Sequence, residues 1–216
     1  RVASPTMDPD PDAIKDRLVA HYDAHAGQRV HRILRAGRRE FRDEYVARLL
    51  SEGRDDLIEL GAGTGQDARA FVAAGFGVVA IDLSPEHVAH CRRAGIDSRV
   101  GDFYDLAADD AAFDAAWAMS SLLHVPDRDL GGVLAEVTRV LRPGSLIGAG
   151  FWGGIDREGP HGFDDTGHER FYSFRSDGKL RRLLEEHWTI ESFAVTHYDP
   201  SDELHYQWVV ARTASA

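Results

Sequence analysis

The chain has 216 residues, of which 43% are hydrophobic, and a formal net charge of −11. This length suffices for one domain with a substantial core and is short for two, and no apolar run approaches the ~20 residues of a membrane span. The acidic balance argues against a nucleic-acid substrate, because proteins that bind nucleic acids usually carry a basic surface.

Helices are predicted before the first strand. Residues 11–26 carry apolar side chains on one side of a helix, and residues 29–51 are predicted to form one or two further helices with a break near Gly37. Six arginines fall within the 14 residues 29–42 of this second stretch: Arg29, Arg32, Arg35, Arg38, Arg39 and Arg42. Because four of them recur at helical spacing, the preferred interpretation is a solvated helix face that pairs with nearby acids; a phosphate or RNA contact is the alternative.

From residue 56 onward, predicted strands and helices alternate. The strands are expected at 56–60, 77–82, 97–100, 113–118, 145–152, 188–197 and 203–212, and the helices at 65–74, 85–94, 128–141 and 174–187. Such alternation favours a parallel sheet with helices on both faces. The last two strands are joined by a short turn and are expected to form an antiparallel hairpin. Residues 151–174 are predicted to be the longest irregular stretch, and loops of this length are often lids.

A glycine-rich turn follows the first predicted strand. The run from Glu59 to Gln66 reads Glu-Leu-Gly-Ala-Gly-Thr-Gly-Gln, so its glycines follow G-x-G-x-G and not the G-x-G-x-x-G of dinucleotide-binding turns. Glu59 would repel a pyrophosphate and suits a ligand that carries an ammonium and a sulfonium. The second strand ends in Asp82, where a carboxylate can accept hydrogen bonds from ribose hydroxyls.

Four segments, in this order, resemble the class I S-adenosylmethionine-dependent methyltransferases: 59–66, 82–84, 101–103 and 113–126. The resemblance covers roughly residues 40–152 by motif. It implies a Rossmann-like, doubly wound α/β fold with a seven-stranded, mostly parallel sheet, one antiparallel strand and an N-terminal helical lid. Residues 1–50 would then form a tail and the lid helices, and residues 51–216 the methyltransferase domain.

The resemblance also implies which residues surround S-adenosylmethionine. They are Tyr22, Glu59, Gly61, Ala62, Gly63, Asp82, Leu83, Asp102, Phe103, Met119 and Ser120. In this arrangement Glu59 lies near the amino group of the methionine part, Asp82 binds the ribose, and Asp102 accepts a hydrogen bond from the adenine amino group. Tyr22, in the first helix, closes over the cofactor.

The candidates for the chemistry lie at the expected acceptor side. Methyl transfer from a sulfonium mainly requires alignment and exclusion of water, and it needs a base only when the acceptor holds its proton. His124 is the candidate base, with a structural role as the alternative; Tyr22, Trp152 and His168 are the other candidates. No metal is expected, because the acids and histidines within 161–169 match no recognised ligand spacing.

The sequence thus predicts methyl transfer from S-adenosylmethionine to an oxygen or nitrogen of a small-molecule acceptor, bound between the N-terminal helices and residues 152–173. The alternatives left open are an RNA or protein methyltransferase, methylation of a soft or inorganic acceptor such as a thiol, halide or tellurite, and a non-enzymatic cofactor-binding module. A nicotinamide oxidoreductase is disfavoured by the glycine spacing.

The expected setting is a bacterial cytoplasm. The single cysteine, Cys91, excludes an internal disulfide and fits a reducing compartment, and the arginine-rich, lysine-poor composition is typical of a GC-rich bacterial genome. We expect a monomer or homodimer that binds neither nucleic acid nor a membrane.

Overall fold

A computed structural model describes residues 10–30, 33–161, 170–199 and 203–215. The helices are α1 (Pro11–Arg29), α2 (Ala36–Ser51), α3 (Gln66–Ala73), α4 (Pro85–Arg93), α5 (Asp127–Val140) and α6 (Asp177–Glu185). The strands are β1 (Asp56–Leu60), β2 (Gly77–Asp82), β3 (Asp97–Val100), β4 (Phe113–Met119), β5 (Leu141–Gly153), β6 (Arg157–His161), β7 (Arg170–Phe174), β8 (Thr189–Thr196) and β9 (His205–Arg212).

Seven strands form one sheet in the order β3-β2-β1-β4-β5-β9-β8. The first five pair in parallel, whereas β9 runs antiparallel to both β5 and β8. This confirms the expected doubly wound α/β fold with one antiparallel strand. The strand order reverses between β1 and β4, and ligands of open α/β sheets bind outside the carboxyl ends of the strands at such a point.

Both faces of the sheet are covered, which explains why the central strands are apolar along their length. All seven residues of β4 are buried, as expected for a parallel strand with helices on both sides. One face packs against α5 and α6, which contribute Leu130 and Leu180 to the larger core cluster. The other face packs Tyr45 of α2 and Phe71 of α3 around Trp117.

The two N-terminal helices are packed differently. In α2, Tyr45 is buried in the core, and its hydroxyl lies 3.0 Å from each of the carbonyl oxygens of Ala116 and Leu146. In α1, Ile14 and Leu18 pack on Phe171 of β7 in a small separate cluster. Of the two, α1 therefore has the position of a lid, whereas α2 is part of the core. Among the described residues, none of the helices is long and apolar enough to cross a membrane.

The predicted break near Gly37 lies just before that residue in the structure. The helix α1 continues to Arg29 and α2 begins at Ala36, so the arginines of this stretch do not share one helix face. Gly37 sits in the first turn of α2, where an added Cβ would lie 3.5 Å from Trp208 and Tyr198. These are ordinary van der Waals distances, so packing does not require a glycine at this position.

The stretch predicted to be irregular contains a second, two-stranded antiparallel sheet formed by β6 and β7. All five residues of β7 are buried. Gly159 and Pro160 within β6 favour a break when only the sequence is considered, but proline is tolerated on a strand that pairs on one side only. The sequence interpretation of 151–174 as a loop is therefore wrong for these two strands.

Candidate active site

A cavity of about 650 Å³ lies at the carboxyl ends of β1, β2 and β4, between the sheet and α1. Eleven of the residues predicted for the site line it: Tyr22, Gly61, Ala62, Gly63, Asp82, Leu83, Phe103, Met119, Ser120, His124 and Trp152. Glu59 and Asp102 do not line this cavity. His168, the remaining candidate, lies outside the described residues.

The turn after β1 requires glycine at two positions for different reasons. Gly61 has φ +75°, and a Cβ there would lie 2.4 Å from the Cβ of Ser121. Gly63 has φ +56°, and a Cβ added there would have no atom within 4 Å. This residue lines the cavity. Since glycine adopts positive φ without steric cost, the turn can run tightly under the cavity and leave an open cradle above Gly63.

Asp82 is fixed at the end of β2 by its own hydrogen bonds. Its Oδ2 accepts from the Gly63 amide at 2.7 Å, and its Oδ1 accepts from the Ser84 amide at 2.9 Å. The Nδ1 atom of His87 lies 3.2 Å from the same Oδ1. An ionised carboxylate offers about four lone-pair sites, so Asp82 retains capacity for a ligand.

The two predicted acids that do not line the cavity have other surroundings. Glu59 is 1% exposed, and burial, reinforced by the nearby Asp67 carboxylate, raises its pKa well above the usual value although Arg38 opposes this. Asp102 accepts from the Tyr104 amide at 2.9 Å and from Lys15 Nζ at 3.0 Å. The Asp102 carboxylate thus links the turn after β3 to α1.

His124 and Tyr22 form a hydrogen-bonded pair that sequence analysis does not predict. The Nδ1 atom of His124 lies 2.7 Å from the Phe171 carbonyl oxygen, and because a carbonyl only accepts, Nδ1 carries the proton. The Nε2 atom is then the acceptor for the Tyr22 hydroxyl, at 2.8 Å. Arg170 Nη1 donates to the same hydroxyl oxygen at 3.1 Å.

Electrostatics keep the His124 imidazole neutral. Burial lowers the pKa of His124 to about 3, the hydrogen bond to Phe171 opposes this shift, and the positive charges of Arg170 and Arg29 add to it. The imidazole therefore acts as a hydrogen-bond acceptor for Tyr22 over the physiological pH range.

Aromatic side chains from β5 and β9 form the wall opposite the glycine turn. Trp152 and Tyr206 meet edge to face with centroids 5.2 Å apart, and Tyr206 packs on Trp208 at 4.3 Å. The Tyr206 hydroxyl lies 2.8 Å from Ser120 Oγ, which joins this wall to the end of β4. The sequence does not predict Tyr206 and Trp208 as site residues; their i, i+2 spacing places them on one face of a strand, but it does not indicate which face meets the cavity.

Four arginines also line the cavity: Arg29, Arg35, Arg38 and Arg170. Arg38 donates to the buried Asp67 at 2.8 Å, and Arg42 donates to the other oxygen of Asp67 at 3.2 Å. The predicted pairing of arginines with acids is thus correct for Arg38 and Arg42. Their partner Asp67 is buried, however, so this face of α2 packs against the protein and is not fully exposed to solvent. Arg32 lies outside the described residues.

Within the described ranges, no group of three or more histidine, cysteine, aspartate or glutamate side chains is arranged to hold a metal ion. Most of the crowded segment considered in the sequence, residues 162–169, is outside those ranges.

Comparison with known proteins shows what part of this chain is similar to. Residues 57–144 match a family model described as a methyltransferase domain. A 24-methylenesterol C-methyltransferase from Oryza sativa subsp. japonica is 38% identical over 120 residues, which are 51% of this chain and 32% of that protein. A 27-O-demethylrifamycin SV methyltransferase from Amycolatopsis mediterranei is 34% identical over 117 residues, 50% of this chain and 42% of that protein. These matches span less than half the length of either relative.

A solved structure extends the similarity to nearly the whole chain. The 1,6-didemethyltoxoflavin-N1-methyltransferase of Burkholderia thailandensis, with bound 1,6-didemethyltoxoflavin and S-adenosylhomocysteine, aligns with 99% of this chain and 94% of its own at a TM-score of 0.75 and 25% identity. These similarities agree with the strand order, with the glycine turn after β1 and with the acid at the end of β2. They confirm the resemblance of this chain to the class I S-adenosylmethionine-dependent methyltransferases.

Proposed function

We propose that this chain transfers the methyl group of S-adenosylmethionine to an oxygen or nitrogen of a small-molecule acceptor. The observation that carries the proposal is one cavity of about 650 Å³ that contains the glycine turn and Asp82 together with His124 and Trp152. Small-molecule sites typically occupy about 300–1,000 Å³. Relatives named for rifamycin and toxoflavin compounds support a small acceptor.

The residues at the glycine turn fit the cofactor. Gly63 leaves its cradle open, and Asp82 has hydrogen-bonding capacity for a ribose hydroxyl. Ser121 Oγ and His87 Nε2 are buried without a hydrogen-bond partner in the described part of the chain, and both residues line the cavity. A polar ligand would satisfy these two atoms, whose burial is otherwise costly.

The other predicted contacts follow from this placement. Leu83 and Phe103 supply apolar surface for the adenine, while the other cavity-lining residues predicted for the cofactor border its methionine and sulfonium parts: Gly61, Ala62, Met119 and Ser120. Glu59 lies beneath the turn, where a methionine ammonium above it would favour the ionised carboxylate. Asp102 acts by holding α1, and Tyr22 of α1 closes over the cofactor.

When bound, S-adenosylmethionine supplies a methyl group that is already activated by a sulfonium. The chain then has to orient the acceptor and exclude water. Trp152 and Tyr206 provide an aromatic wall for the acceptor beside Ser120. The Tyr22 oxygen accepts from Arg170 and donates to His124, so one lone pair remains to receive a hydrogen bond from the acceptor.

His124 is assigned a positioning role in this proposal. A pKa of about 3 makes its imidazole a weak base, and its Nε2 is already occupied by Tyr22. A base this weak can take a proton only from an acceptor that loses it readily. The contribution of His124 is therefore to fix the direction of the Tyr22 hydroxyl.

Calorimetric titration tests the cofactor part of the proposal. S-adenosylmethionine and S-adenosylhomocysteine are expected to bind the wild type, and Asp82→Asn is expected to weaken both by at least about tenfold, because hydrogen bonds to a charged group contribute about 1.5–3 kcal/mol. Asp56→Asn is the matched control, since Asp56 lies at the opposite end of β1 and pairs with Arg142. Binding of NAD alone, or no binding, would contradict the proposal.

Turnover tests the chemistry. The protein is incubated with S-adenosylmethionine and a panel of hydroxylated and aminated small molecules, and formation of S-adenosylhomocysteine is followed together with the product mass. A product heavier by one methylene is expected in the wild type, with slower turnover in Tyr22→Phe. Cofactor binding without turnover of any acceptor would favour the non-enzymatic alternative.

A further inference from the structure

We propose that the acceptor is a planar aromatic acid whose carboxylate binds Arg35, an inference that rests on the proposed function. The structure places the Arg35 guanidinium over two aromatic rings of the cavity wall, 4.3 Å from the centroid of Tyr198 and 5.2 Å from that of Trp152. All three residues line the cavity.

The charge of the cavity wall is opposite to that of the whole chain. The chain carries a net charge of −11, whereas the charged residues that line the cavity within the described part of the chain, histidines aside, are Arg29, Arg35, Arg38, Arg170 and Asp82. A positive wall inside an acidic protein favours an anionic ligand by local attraction.

Arg35 differs from Arg38 in its partners. Arg38 is engaged by the buried Asp67, with Nη2 2.6 Å from Oδ2. Arg29 and Arg170 lie over the Tyr22 ring, at 4.8 and 5.6 Å. Arg35 forms no ion pair with a carboxylate of the described residues.

Arg35 lies on the acceptor side of the cavity. From Ser120 at the end of β4, the wall continues through Tyr206, at 2.8 Å, to Trp152, at 5.2 Å, and from there to Arg35. The glycine turn and Asp82 belong to the cofactor side. Arg35 is therefore placed to contact the acceptor and not the methionine carboxylate.

The aromatic neighbours specify the shape of the ligand. Aromatic rings pack on one another with centroids about 4.5–7 Å apart, so an aromatic ring suits packing against either Trp152 or Tyr206. A guanidinium binds a carboxylate through two parallel hydrogen bonds, and a carboxylate attached to such a ring lies close to the ring plane. The pair of features selects an aromatic acid over a neutral or aliphatic acceptor.

The test measures binding of 2-naphthoate and its neutral analogue 2-naphthamide by calorimetry, with the protein saturated with S-adenosylhomocysteine. The wild type is expected to bind 2-naphthoate about tenfold more tightly than 2-naphthamide, the ratio that one charge-assisted contact supplies. Arg35→Gln is expected to abolish this ratio and Arg35→Lys to retain part of it. Arg39→Gln is the control, because Arg39 is an exposed residue of α2 that does not line the cavity.

The outcomes separate this inference from the proposed function. If S-adenosylhomocysteine fails to bind the wild type, the proposed function is overturned. If it binds but 2-naphthoate shows no preference over 2-naphthamide, or if Arg39→Gln loses the preference equally, only the assignment of Arg35 is overturned. A loss of S-adenosylhomocysteine affinity in Arg35→Gln would show that Arg35 holds the cofactor instead.

Discussion

His124 illustrates how burial changes the task of a single residue. A histidine near neutral pKa is suited to acid–base catalysis, and its position after β4 favours that interpretation from sequence. In the structure, the Phe171 carbonyl fixes the protonated nitrogen and the other nitrogen holds Tyr22. His124, which the sequence suggests as a general base, is thus arranged to orient the Tyr22 hydroxyl.

The lowered pKa of His124 predicts a specific pH dependence of stability. An unfolded histidine has a pKa of about 6.5, and the folded value is about 3, so between these values the unfolded state binds a proton that the native state does not. The contribution of the neutral imidazole is fully present above pH ~6.5 and is lost as the pH falls toward ~3. His124→Gln removes this titration.

Urea unfolding between pH 7.5 and 4.5 measures the effect. The free energy of unfolding of the wild type is expected to fall more steeply below about pH 6 than that of His124→Gln, by less than about 1.4 kcal/mol per pH unit because the ring partly faces the cavity. His197→Gln, which removes an exposed imidazole, is the control. Parallel curves for the wild type and His124→Gln would contradict the lowered pKa.

At the scale of secondary-structure elements, Asp67 joins three of them. It lies in the first turn of α3, accepts from Arg38 and Arg42 of α2, and accepts from the indole nitrogen of Trp117 in β4 at 3.0 Å. Its side chain has no exposed surface. Loss of this carboxylate would leave two arginines and an indole N–H without their buried partner.

Asp67→Ala is expected to lower the free energy of unfolding by about 3–5 kcal/mol, the usual result of removing one partner of a buried ion pair. Asp43→Ala is the matched control, because Asp43 also pairs with Arg42 but its side chain is 69% exposed; a change within about 0.5 kcal/mol is expected. Urea unfolding at pH 7 compares the two variants, and similar losses in both would show that Asp67 does not join the elements as described.

The sequence predicts those elements best whose signals are local. The strands β1 and β2 are apolar runs that end in a turn or an acid, so their bounds and the position of Asp82 follow from a few adjacent residues. The hairpin of β6 and β7 is not predicted, because Gly159 and Pro160 mimic a loop when the pairing partner is unknown. The break between α1 and α2 is predicted close to its place, because α2 begins at Ala36, next to Gly37.

The candidate site divides in the same way. Gly61, Gly63 and Asp82 belong to contiguous motifs, and all three line the cavity. Arg35, just before α2, and Tyr206 of β9 reach the cavity from distant segments, and only tertiary packing determines which of their faces meets it. Glu59 fits the motif, yet its carboxylate lies below the wall, since a residue pattern does not specify the depth at which a side chain is buried.

At the scale of the whole molecule, α1 is attached by fewer buried apolar residues than α5. Its apolar attachment is a cluster with three buried members, which are Ile14, Leu18 and Phe171. Polar contacts add to it: Lys15 with Asp102 at 3.0 Å, and the Ser84 hydroxyl with Asp23 at 2.5 Å. By contrast, α5 has five fully buried apolar residues: Leu130, Val133, Leu134, Val137 and Val140. Segments with few buried apolar contacts open at low free-energy cost.

This difference predicts that cofactor binding stabilises α1 selectively. Tyr22 and Leu18 of α1 line the cavity, so a ligand in the cavity binds the closed arrangement better than the open one. A ligand at about 100 times its Kd stabilises the binding-competent state by about 2.7 kcal/mol, which slows amide exchange through local opening by up to about 100-fold. Hydrogen–deuterium exchange with and without S-adenosylhomocysteine is expected to show this slowing in residues 11–29 and little change in α5. Unchanged exchange in α1 under saturating S-adenosylhomocysteine would mean that this helix does not act as a lid, because a lid that contacts the ligand cannot open freely while the ligand is bound.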